Sequence, residues 1–279
     1  MQLSVVIPSY NGQALLQDSL PPLLEALQPI KESEIIVVDN GSTDSTSHFM
    51  TKHYPDVHLI ELDKNYGFTR AANEGIRKSK SEYVLILNND CFVKIDTVSK
   101  LLLFIRTNVD LVATQPIVAR PTGEIENIGY VVDLKKGKAT VVTDKNLIPS
   151  FDNQTIWDIG FVYGLSGACL LVRRDILKKM EGLDESFHSY LEDVDLFIRF
   201  AKKKYQWAPC LDAIVTHQHM STSAAMKGYK EWHDLTNWIR IIIKNYPTSF
   251  IIRCAVTLCI ERLRNLSGWL KRMNKVYPS

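Results

Sequence analysis

The chain has 279 residues, of which 46% are hydrophobic and 23% are charged, and its formal net charge is +2. These values are typical of a globular protein with one large α/β domain or two small ones, and they exclude disordered and fibrous classes. Residues 226–279 carry ten of the 33 Lys and Arg residues but three of the 31 Asp and Glu residues, so the tail is basic and the body mildly acidic.

The five cysteines form no C-x-x-C pair, which argues against a disulfide framework and against a zinc ribbon. We expect reduced thiols in a cytoplasmic protein. The sequence enters a strand without a charged leader or a cleavage site, which predicts that there is no signal peptide. No window reaches the roughly 18 uncharged apolar residues that a membrane-spanning helix needs.

Apolar runs alternate with helical patterns over the first ninety residues. The runs cover residues 3–7, 34–38, 57–62 and 83–87, and helices follow the first three of them. Ser42 or Thr43 is suitably placed to cap the second helix. Repeated βα units of this kind predict a parallel sheet with right-handed crossovers.

Polar segments follow these strands and should meet at one edge of the sheet, where open α/β sheets bind ligands. The crevice should contain Tyr10, Asp39, Lys64, Asn65 and Asp90. No glycine-rich phosphate loop follows the first strand, so a bound diphosphate needs another neutralising group. A divalent cation on Asp90 would serve, although Asn and Asp are also common in strand-end turns.

After residue 90 the alternation becomes irregular. We predict a helix over residues 96–107, a strand over 111–115 and a hairpin over 123–142. Small residues around Gly167 then lead into an apolar strand, as expected where a ligand or a neighbouring backbone approaches closely. A tight loop required by packing is the alternative.

A second acidic cluster begins an amphipathic helix over residues 190–204. Glu192 and Asp193 stand in its first turn, where the helix dipole favours carboxylates even without a catalytic role. Asp195 and Arg199 are four residues apart, which predicts an intrahelical ion pair. His217 ends a later apolar run, where a neutral imidazole could join a metal site, although a lone histidine more often has no such role.

Two helical stretches, 229–244 and 250–273, end the chain. The second mixes bulky apolar residues with Arg and Lys, a pattern that suits a helix lying on an anionic membrane surface. A helix that packs on its own domain, or on a second copy in a homodimer, is the alternative.

Taken together, these motifs resemble the inverting family 2 glycosyltransferases of the GT-A fold, in particular the bacterial rhamnosyl- and galactofuranosyltransferase-like branch. The resemblance covers residues 3–217. The segments that carry it are 6–11, 37–44, 65–75, 87–90, 182–185 and 192–196, together with His217.

The resemblance implies an α/β fold with a Rossmann-like, mostly parallel central sheet flanked by helices and followed by a C-terminal helical extension. The implied domains are a catalytic domain over residues 1–225 and a basic amphipathic tail over residues 226–279. Within the catalytic domain, residues 1–90 would bind the nucleotide and residues 91–225 would bind the acceptor and carry the catalytic group.

The resemblance also implies roles for individual residues. Asp90 matches an acidic ligand of Mg²⁺ or Mn²⁺, which His217 joins in some family members. Asp193 matches the general base, with Glu192 as its neighbour. The residues implied to bind the nucleotide, on the donor side of the site, are Pro8, Tyr10, Asn11, Asp39, Asn65, Gly67, Arg70, Asn88 and Asn89. Those implied to lie on the acceptor side are Gly167, His188 and Tyr190.

The sequence departs from the family pattern at two positions. Asn88 replaces the first acid of the Asp-x-Asp metal motif, so one carboxylate remains and we expect modest metal affinity. His188 stands where relatives often carry a second aromatic residue, which leaves the acceptor as the least specified part of the prediction.

The implied activity is inverting transfer of a sugar from a dTDP- or UDP-linked donor to a hydroxyl of a cell-surface glycan or a polyprenyl-linked acceptor. Such a displacement needs a cation to neutralise the departing diphosphate and a carboxylate to take the proton of the acceptor. A non-catalytic nucleotide-sugar-binding subunit of a glycan assembly complex is the alternative. A nucleotidyltransferase is disfavoured because no glycine-rich basic loop lies near the first strand. We expect no nucleic-acid partner and a location at the cytoplasmic face of the inner membrane.

Overall fold

The structure is a computed structural model that describes residues 2–148, 160–218 and 228–274. Its first ninety residues alternate strands with helices, as predicted. These elements are β1 (Leu3–Ser9), α1 (Gln13–Leu27), β2 (Ser33–Asp39), α2 (Thr46–His53), β3 (His58–Glu61), α3 (Phe68–Lys78) and β4 (Tyr83–Leu87). Strands β1 and β4 are buried along their whole length, which explains their uninterrupted apolar runs.

The rest of the described chain adds shorter strands and two long C-terminal helices. The strands are β5 (Cys91–Val93), β6 (Leu111–Thr114), β7 (Pro116–Ala119), β8 (Ile125–Asn127), β9 (Gly129–Asp133), β10 (Lys138–Val142), β11 (Phe161–Gly164), β12 (Cys169–Arg173), β13 (Gln206–Trp207) and β14 (Cys210–His217). The helices are α4 (Thr97–Thr107), α5 (Arg174–Lys179), α6 (Glu192–Lys202), α7 (Tyr229–Asn245) and α8 (Thr248–Asn274).

The start of α2 differs from the prediction. The helix begins after Ser45, whose side chain makes no capping hydrogen bond. The backbone N–H of Thr46, the first helical residue, donates to Asp44 Oδ1 at 3.0 Å. The expected cap, Ser42, instead accepts the backbone N–H of Asn11 at 2.8 Å. The hydroxyl therefore ties the ends of the first two strands together.

The central sheet has seven strands in the order β13-β6-β12-β4-β1-β2-β3. Strands β4, β1, β2 and β3 are parallel, while β12 runs antiparallel between β4 and β6. Because of this reversal, the start of β12 lies at the same edge as the ends of the parallel strands. The expected fold, a mostly parallel sheet flanked by helices, is confirmed.

Apolar side chains cover both faces of this sheet. Along β4, Val84 and Ile86 belong to one buried cluster, while Tyr83, Leu85 and Leu87 belong to the other. This alternation follows from the two-residue period of a strand. Burying a side chain of this size contributes roughly 1.5–3 kcal/mol, so the two clusters make the sheet a rigid support for the loops at its edge.

Two small sheets extend the body. One contains β10, β9 and β11, and its antiparallel pair β9–β10 is the predicted hairpin. The other has the order β5-β14-β7-β8, and in it His217 lies opposite Cys91. This pairing brings the end of β14 beside the residues that follow β4.

Helices α7 and α8 pack on the body. Trp238 of α7 and Phe250 and Leu258 of α8 share the cluster that includes β9 and β11. The guanidinium of Arg262 donates to the carbonyl of Gly137 at 2.6 Å. The inner face of α8 is therefore part of the core, while the predicted boundary between residues 225 and 226 lies outside the described residues and stays a prediction.

The expectations about cysteines and membrane spans can be compared with the structure. All five cysteines are free; four are buried and Cys259 is exposed. Within residues 2–148, 160–218 and 228–274, no helix is both long enough and apolar enough to cross a bilayer.

Candidate functional site

The ends of β1 and β2 interlock at the edge of the sheet. Asn11 donates its backbone N–H to Ser42, and its side-chain Oδ1 accepts the backbone N–H of Thr43 at 2.7 Å. Asp39, which is 4% exposed, accepts the backbone N–H of Ser42 at 3.0 Å. The same edge therefore holds Asn11 and Asp39, with Tyr10 between Asn11 and the last residue of β1.

Asn40, which sequence analysis did not single out, organises the end of β3. Its Nδ2 donates to Asn65 Oδ1 at 3.0 Å and to the carbonyl of Gly67 at 3.1 Å, and its Oδ1 accepts the backbone N–H of Tyr66 at 2.9 Å. The side chain is buried. An amide directly after Asp39 in the Asp-Asn-Gly segment was the signal that could have identified it.

Two cations lie beside Tyr66 on the same segment. The guanidinium carbon of Arg70 is 3.8 Å from the centroid of the Tyr66 ring, and Lys64 Nζ is 5.1 Å from it. Contacts of this kind stabilise a cation by roughly 0.5–1 kcal/mol at exposed sites. Positive charge is thus present near the end of β3.

The remaining residues that were predicted to bind the nucleotide lie in strand β1 and in the turn after β4. Pro8 lies inside β1 opposite Val38 and is buried. Asn89 donates its Nδ2 to Ser9 Oγ at 3.0 Å, which joins the ends of β4 and β1. The predicted donor-side residues therefore lie at the carboxyl edge of adjacent strands, with Pro8 one position further inside the sheet.

Asp90 and His217 meet just after β4. Asp90 is 1% exposed, and its Oδ1 lies 3.2 Å from His217 Nε2. Its Oδ2 is buried and has no hydrogen-bond partner within the described ranges. The other ring nitrogen of His217 lies 3.4 Å from Glu126 Oε1. Ligand atoms of Asp90, Cys91 and His217 all lie within 4.8 Å of one another.

The charge state of this cluster follows from its surroundings. Burial alone would lower the pKa of His217, but the hydrogen bond to Asp90 and the charges of Asp90 and Glu126 outweigh burial and raise that pKa. Burial raises the pKa of the Cys91 thiol well above its usual value, so the thiol keeps its proton. Among Asp90, Cys91 and His217, the anionic oxygen for a cation therefore comes from the Asp90 carboxylate.

Glu192 and Asp193 open helix α6 on the other side of the crevice. Asp193 Oδ2 accepts the backbone N–H of Gly167 at 3.0 Å, and its Oδ1 accepts the N–H of Val194 at 2.8 Å. Glu192 Oε2 is buried without a hydrogen-bond partner in the described part of the chain. A Cβ added at Gly167 would meet Asp193 Cβ at 3.6 Å, an ordinary contact, so packing against these carboxylates does not require glycine there.

The two carboxyl groups differ in how firmly they hold a proton. Burial, followed by the charge of Asp193, raises the pKa of Glu192 to about 8. Burial also raises the pKa of Asp193, but the N–H groups of Gly167 and Val194 favour its charged form and oppose the shift. Of the two, Asp193 is therefore the better candidate for the charged group and Glu192 for the protonated one.

A short line of contacts connects the two acidic sites. Asn88 donates its backbone N–H to the carbonyl of Ala168 at 2.9 Å, and the neighbouring Gly167 donates to Asp193. Asp90 follows Asn88 by two residues. The antiparallel start of β12 therefore brings Asp90 and Asp193 to one edge of the sheet.

The segment before α6 has a left-handed backbone at three non-glycine residues, His188, Tyr190 and Leu191. The carbonyl of His188 accepts the backbone N–H of Thr69 at 3.1 Å. A Cβ on Gly67 would lie 2.5 Å from His188 Cγ. Gly67, predicted on the donor side, therefore touches His188, predicted on the acceptor side.

Helix α7 completes the acceptor side with residues that sequence analysis missed. Tyr229 Oη lies 3.0 Å from His188 Nδ1, and the ring of His233 stacks on that of His188 with a centroid distance of 5.7 Å. Tyr190 makes an edge contact with Tyr229. Because these contacts join residues some forty positions apart, no local pattern could have indicated them.

A cavity of about 680 Å³ lies at the opposite end of the sheet. It is lined by residues just before β4 and around the end of β12, among them Ser81, Glu82, Arg173 and Arg174. It contains none of the predicted site residues. The chemistry indicated by the side chains therefore lies at the carboxyl edge and not at this cavity.

Comparison with known proteins adds an independent finding. The model of the family described as "Glycosyl transferase family 2" matches residues 4–181. Poly(ribitol-phosphate) beta-glucosyltransferase of Bacillus spizizenii is 36% identical over 97 residues, which are 33% of this chain and 15% of that relative. N-acetylglucosaminyl-diphospho-decaprenol L-rhamnosyltransferase of Mycobacterium tuberculosis is 26% identical over 223 residues, which are 72% of this chain and 70% of that relative.

A solved structure shares the fold. The mannosyltransferase PcManGT from Pyrobaculum calidifontis, in complex with GDP-Man and Mn²⁺, is similar with a TM-score of 0.63 and 16% identity. The match covers 99% of this chain and 76% of that one.

Proposed function

The chain belongs to glycosyl transferase family 2, and on that premise we propose that it transfers a sugar, with inversion, from a nucleotide-sugar to a hydroxyl of a cell-surface glycan or lipid-linked acceptor. The observation that carries the proposal is the line of contacts from Asn88 through Ala168 and Gly167 to Asp193. Neutralisation of the leaving group and removal of a proton from the acceptor must occur around one sugar. Two carboxylates at one sheet edge support that arrangement.

On the donor side, we assign the base and ribose to Pro8, Tyr10 and Asp39, with Arg70 nearby. A carboxylate can accept the ring N–H of uracil or thymine, which suits Asp39. A UDP- or dTDP-linked sugar is the donor in this proposal, although the ring N–H of guanine could donate to the same carboxylate. A GDP-linked donor is the competitor to test, because PcManGT was solved with GDP-Man.

A divalent cation fits the residues around Asp90. One buried carboxylate oxygen lacks a hydrogen-bond partner in the described residues, and an imidazole lies beside the other oxygen. Mg²⁺ or Mn²⁺ would take these two ligands and complete its shell with diphosphate oxygens and water. The buried Cys91 thiol is a soft ligand that such hard cations do not prefer. When bound, the cation neutralises charge on the departing diphosphate.

Asp193 is the general base in this proposal. Its ionised form is supported by two backbone N–H groups, whereas burial and the charge of Asp193 favour the protonated form of Glu192. The carboxylate of Asp193 takes the proton of the acceptor hydroxyl while the hydroxyl oxygen attacks the anomeric carbon. The nucleoside diphosphate leaves from the opposite face, so one displacement inverts the centre and needs no covalent sugar intermediate.

The acceptor binds on the side of Gly167, His188 and Tyr190 in this proposal. The relatives named above support the substrate class: one acts on poly(ribitol-phosphate) and the other on a diphospho-decaprenol lipid, according to their names. The first name describes a polyol-phosphate polymer and the second a lipid-linked sugar. A glycan or polyprenyl-linked hydroxyl is therefore the acceptor class to test first.

The test replaces the base without changing its shape. Asp193→Asn should lower kcat about 10²- to 10⁴-fold, the usual contribution of a general base. Donor affinity measured by calorimetry should stay unchanged. Asp175→Asn is the matched control, because Asp175 also stands in the first turn of a helix but pairs with Lys179 on the surface. Normal turnover by Asp193→Asn would exclude Asp193 as the base.

A non-catalytic partner subunit is the second candidate, and Asn88 in place of a metal-binding acid is the observation that favours it. Such a protein would bind nucleotide-sugar without turning it over. Metal-dependent release of nucleoside diphosphate by the purified protein, measured with and without candidate acceptors, separates the two. Binding without release in every combination would favour the partner subunit.

We further propose that α8 lies on the cytoplasmic face of an anionic membrane. Ile252, Val256 and Leu263 are 72%, 74% and 64% exposed, and their spacing places them on one side of the helix. Arg253 is also exposed, whereas the helix's single acid, Glu261, is buried. An exposed apolar stripe with basic neighbours matches the chemistry of an anionic lipid surface.

Sedimentation with phosphatidylglycerol vesicles tests the membrane proposal. Combined Ile252→Gln, Val256→Gln and Leu263→Gln changes should release the protein, whereas Val109→Gln, at a site 72% exposed outside α8, should not. Truncating α8 is unsuitable, because its inner face belongs to the core. Light scattering tests the competing homodimer: loss of a dimer, without loss of vesicle binding, would assign the stripe to a second copy of the chain.

A further inference from the structure

Helix α7 is hydrogen-bonded to the segment that precedes the carboxyl groups of Glu192 and Asp193. Asn237 is fully buried on this helix. Its Nδ2 lies 3.2 Å from the carbonyl oxygen of Phe187 and 2.8 Å from those of Ser189 and Tyr190. Two N–H donors thus serve three carbonyls, and at least one N–H is shared.

The orientation of this amide is fixed. Asn237 Oδ1 accepts a hydrogen bond from the guanidinium of Arg240 at 2.6 Å. A guanidinium can donate but cannot accept, so the oxygen of the amide must face Arg240. The amide nitrogen must then face the three carbonyls.

This segment has an unfavourable backbone conformation that contacts with the rest of the protein must stabilise. His188, Tyr190 and Leu191 have φ values of 62°, 68° and 64°. A non-glycine residue in this region costs roughly 1–2 kcal/mol relative to ordinary helical geometry. Such residues persist where surrounding contacts hold them in place, and they cluster at functional sites. Asn237 supplies contacts of that kind.

The segment in turn sets the position of the carboxyl groups. The carbonyl of Leu191 accepts the N–H of Asp195 at 3.0 Å, which starts helix α6. Glu192 and Asp193 lie between these two residues in the first turn. A change in the backbone at Tyr190 and Leu191 would therefore move the carboxylate of Asp193 relative to Gly167.

We propose that Asn237 is a positioning residue for sugar transfer, which acts through the left-handed segment to hold Asp193 at the acceptor hydroxyl. This inference rests on the proposed function. It assigns to α7, which lies beyond the part of the chain matched by the family model, a part in the reaction geometry.

Asn245 provides a matched control on the same helix. It is also buried, and its Nδ2 donates to Asp195 Oδ1 at 2.8 Å. Asp195 keeps its contacts with Arg199 and Lys244 when Asn245 is replaced. Asn245→Leu therefore removes a buried amide of the same kind without releasing the carbonyls before Glu192.

The experiment compares Asn237→Leu, Asn237→Ser and Asn245→Leu in the full chain. We expect Asn237→Leu and Asn245→Leu to lower the melting temperature by similar amounts. Asn237→Leu should lower kcat by up to about 10²-fold, the effect of displacing a reacting group by about 1 Å, with donor affinity unchanged. Asn237→Ser, which keeps one donor, should fall between Asn237→Leu and the wild type. Asn245→Leu should keep wild-type kcat.

Hydrogen exchange of the peptide covering residues 187–193 reports on the segment without any substrate. Exchange should rise in Asn237→Leu and stay at the wild-type level in Asn245→Leu. Equal kcat losses, or equal exchange, in the two leucine variants would overturn the positioning role. A wild-type protein without transfer activity would instead contradict the proposed function, and the exchange data would still decide whether Asn237 holds the segment.

Discussion

The donor side and the acceptor side of the crevice are built in different ways. On the donor side, Asp39 is the last residue of the parallel strand β2 and Asp90 lies three residues after the parallel strand β4, so the local sequence sets their positions. On the acceptor side, the position of Asp193 depends on the left-handed segment before it. Asn237 donates hydrogen bonds to this segment, and Gly67 packs closely against its residue His188. The comparison teaches that the donor side is specified by short motifs, whereas the acceptor side depends on contacts between distant parts of the chain.

On the donor side, the largest effect is expected from the loss of the Asp90 carboxylate. Asp90→Ala removes the carboxylate that the proposed cation needs, and the loss of such electrostatic stabilisation should lower kcat about 10²- to 10³-fold. Mn²⁺ affinity, measured by calorimetry with nucleoside diphosphate present, should fall in parallel. Because Asp90 and Asp193 lie on different sides of the crevice, hydrogen exchange of the peptide covering residues 187–193 should stay at the wild-type level. Unchanged Mn²⁺ affinity in Asp90→Ala would remove Asp90 from the metal site.

A second prediction tests where the two sides touch. Gly67→Ala puts a methyl group 2.5 Å from His188 Cγ and also strains the backbone, whose φ is 85°. Gly123→Ala is the matched control, since its φ is 88° and nothing lies within 4 Å of the added Cβ.

We expect Gly123→Ala to lose about 1–2 kcal/mol of unfolding free energy, the usual cost of a left-handed alanine, and to keep its activity. Gly67→Ala should lose more stability and should also raise the KM for the acceptor. Equal stability and equal kinetics for the two variants would mean that the contact between Gly67 and His188 does not constrain the acceptor side.

A third prediction concerns the pH dependence of stability on the acceptor side. The pKa of Glu192 is about 8 in the folded protein, compared with an ordinary value of 4.5. The folded state therefore binds this proton more tightly than the unfolded state does. Its stabilising contribution is complete below about pH 4.5, falls as the pH rises, and is lost above about pH 8.

Glu192→Gln removes this titration. The melting temperature of the wild type, relative to that of Glu192→Gln, should decline between pH 5 and pH 8 and then level off. Thermal denaturation of both proteins across that range measures the difference. Parallel curves would show that Glu192 ionises in the folded state as easily as in the unfolded chain.

The sequence was sufficient for the elements of the donor side. Uninterrupted apolar runs that end in polar residues predicted β1 to β4 and the side chains that follow them, because a buried strand must become polar where it leaves the sheet. The predicted cap, Ser42 or Thr43, was wrong, because the helix begins after Ser45. The Ser42 hydroxyl accepts the backbone N–H of Asn11, and the Thr43 hydroxyl donates to Asn11 Oδ1, so both side chains join the ends of β1 and β2. Asn40 was missed because its partners lie about 25 residues away.

The acceptor side was less accessible to sequence analysis. The first turn of α6 marked Glu192 and Asp193, but carboxylates at a helix start have an explanation without catalysis. The ion pair of Asp195 with Arg199 was confirmed at 2.7 Å because it depends on helical spacing alone. The contacts of Tyr229, His233 and Asn237 with the 188–190 segment arise from tertiary packing, which leaves no periodic trace. The assigned roles of all site residues remain predictions for the experiments above.

The central strand β4 also has a consequence for how the protein is made. It pairs with β1 and β12, each about eighty residues away along the chain but on opposite sides of it. During synthesis, β4 therefore emerges with one neighbour already available, while its other edge waits for β12. Until residue 173 has left the ribosome, the nascent chain carries an unpaired apolar edge of the kind that recruits other strands. Slow translation between residues 90 and 170 would prolong this vulnerable interval.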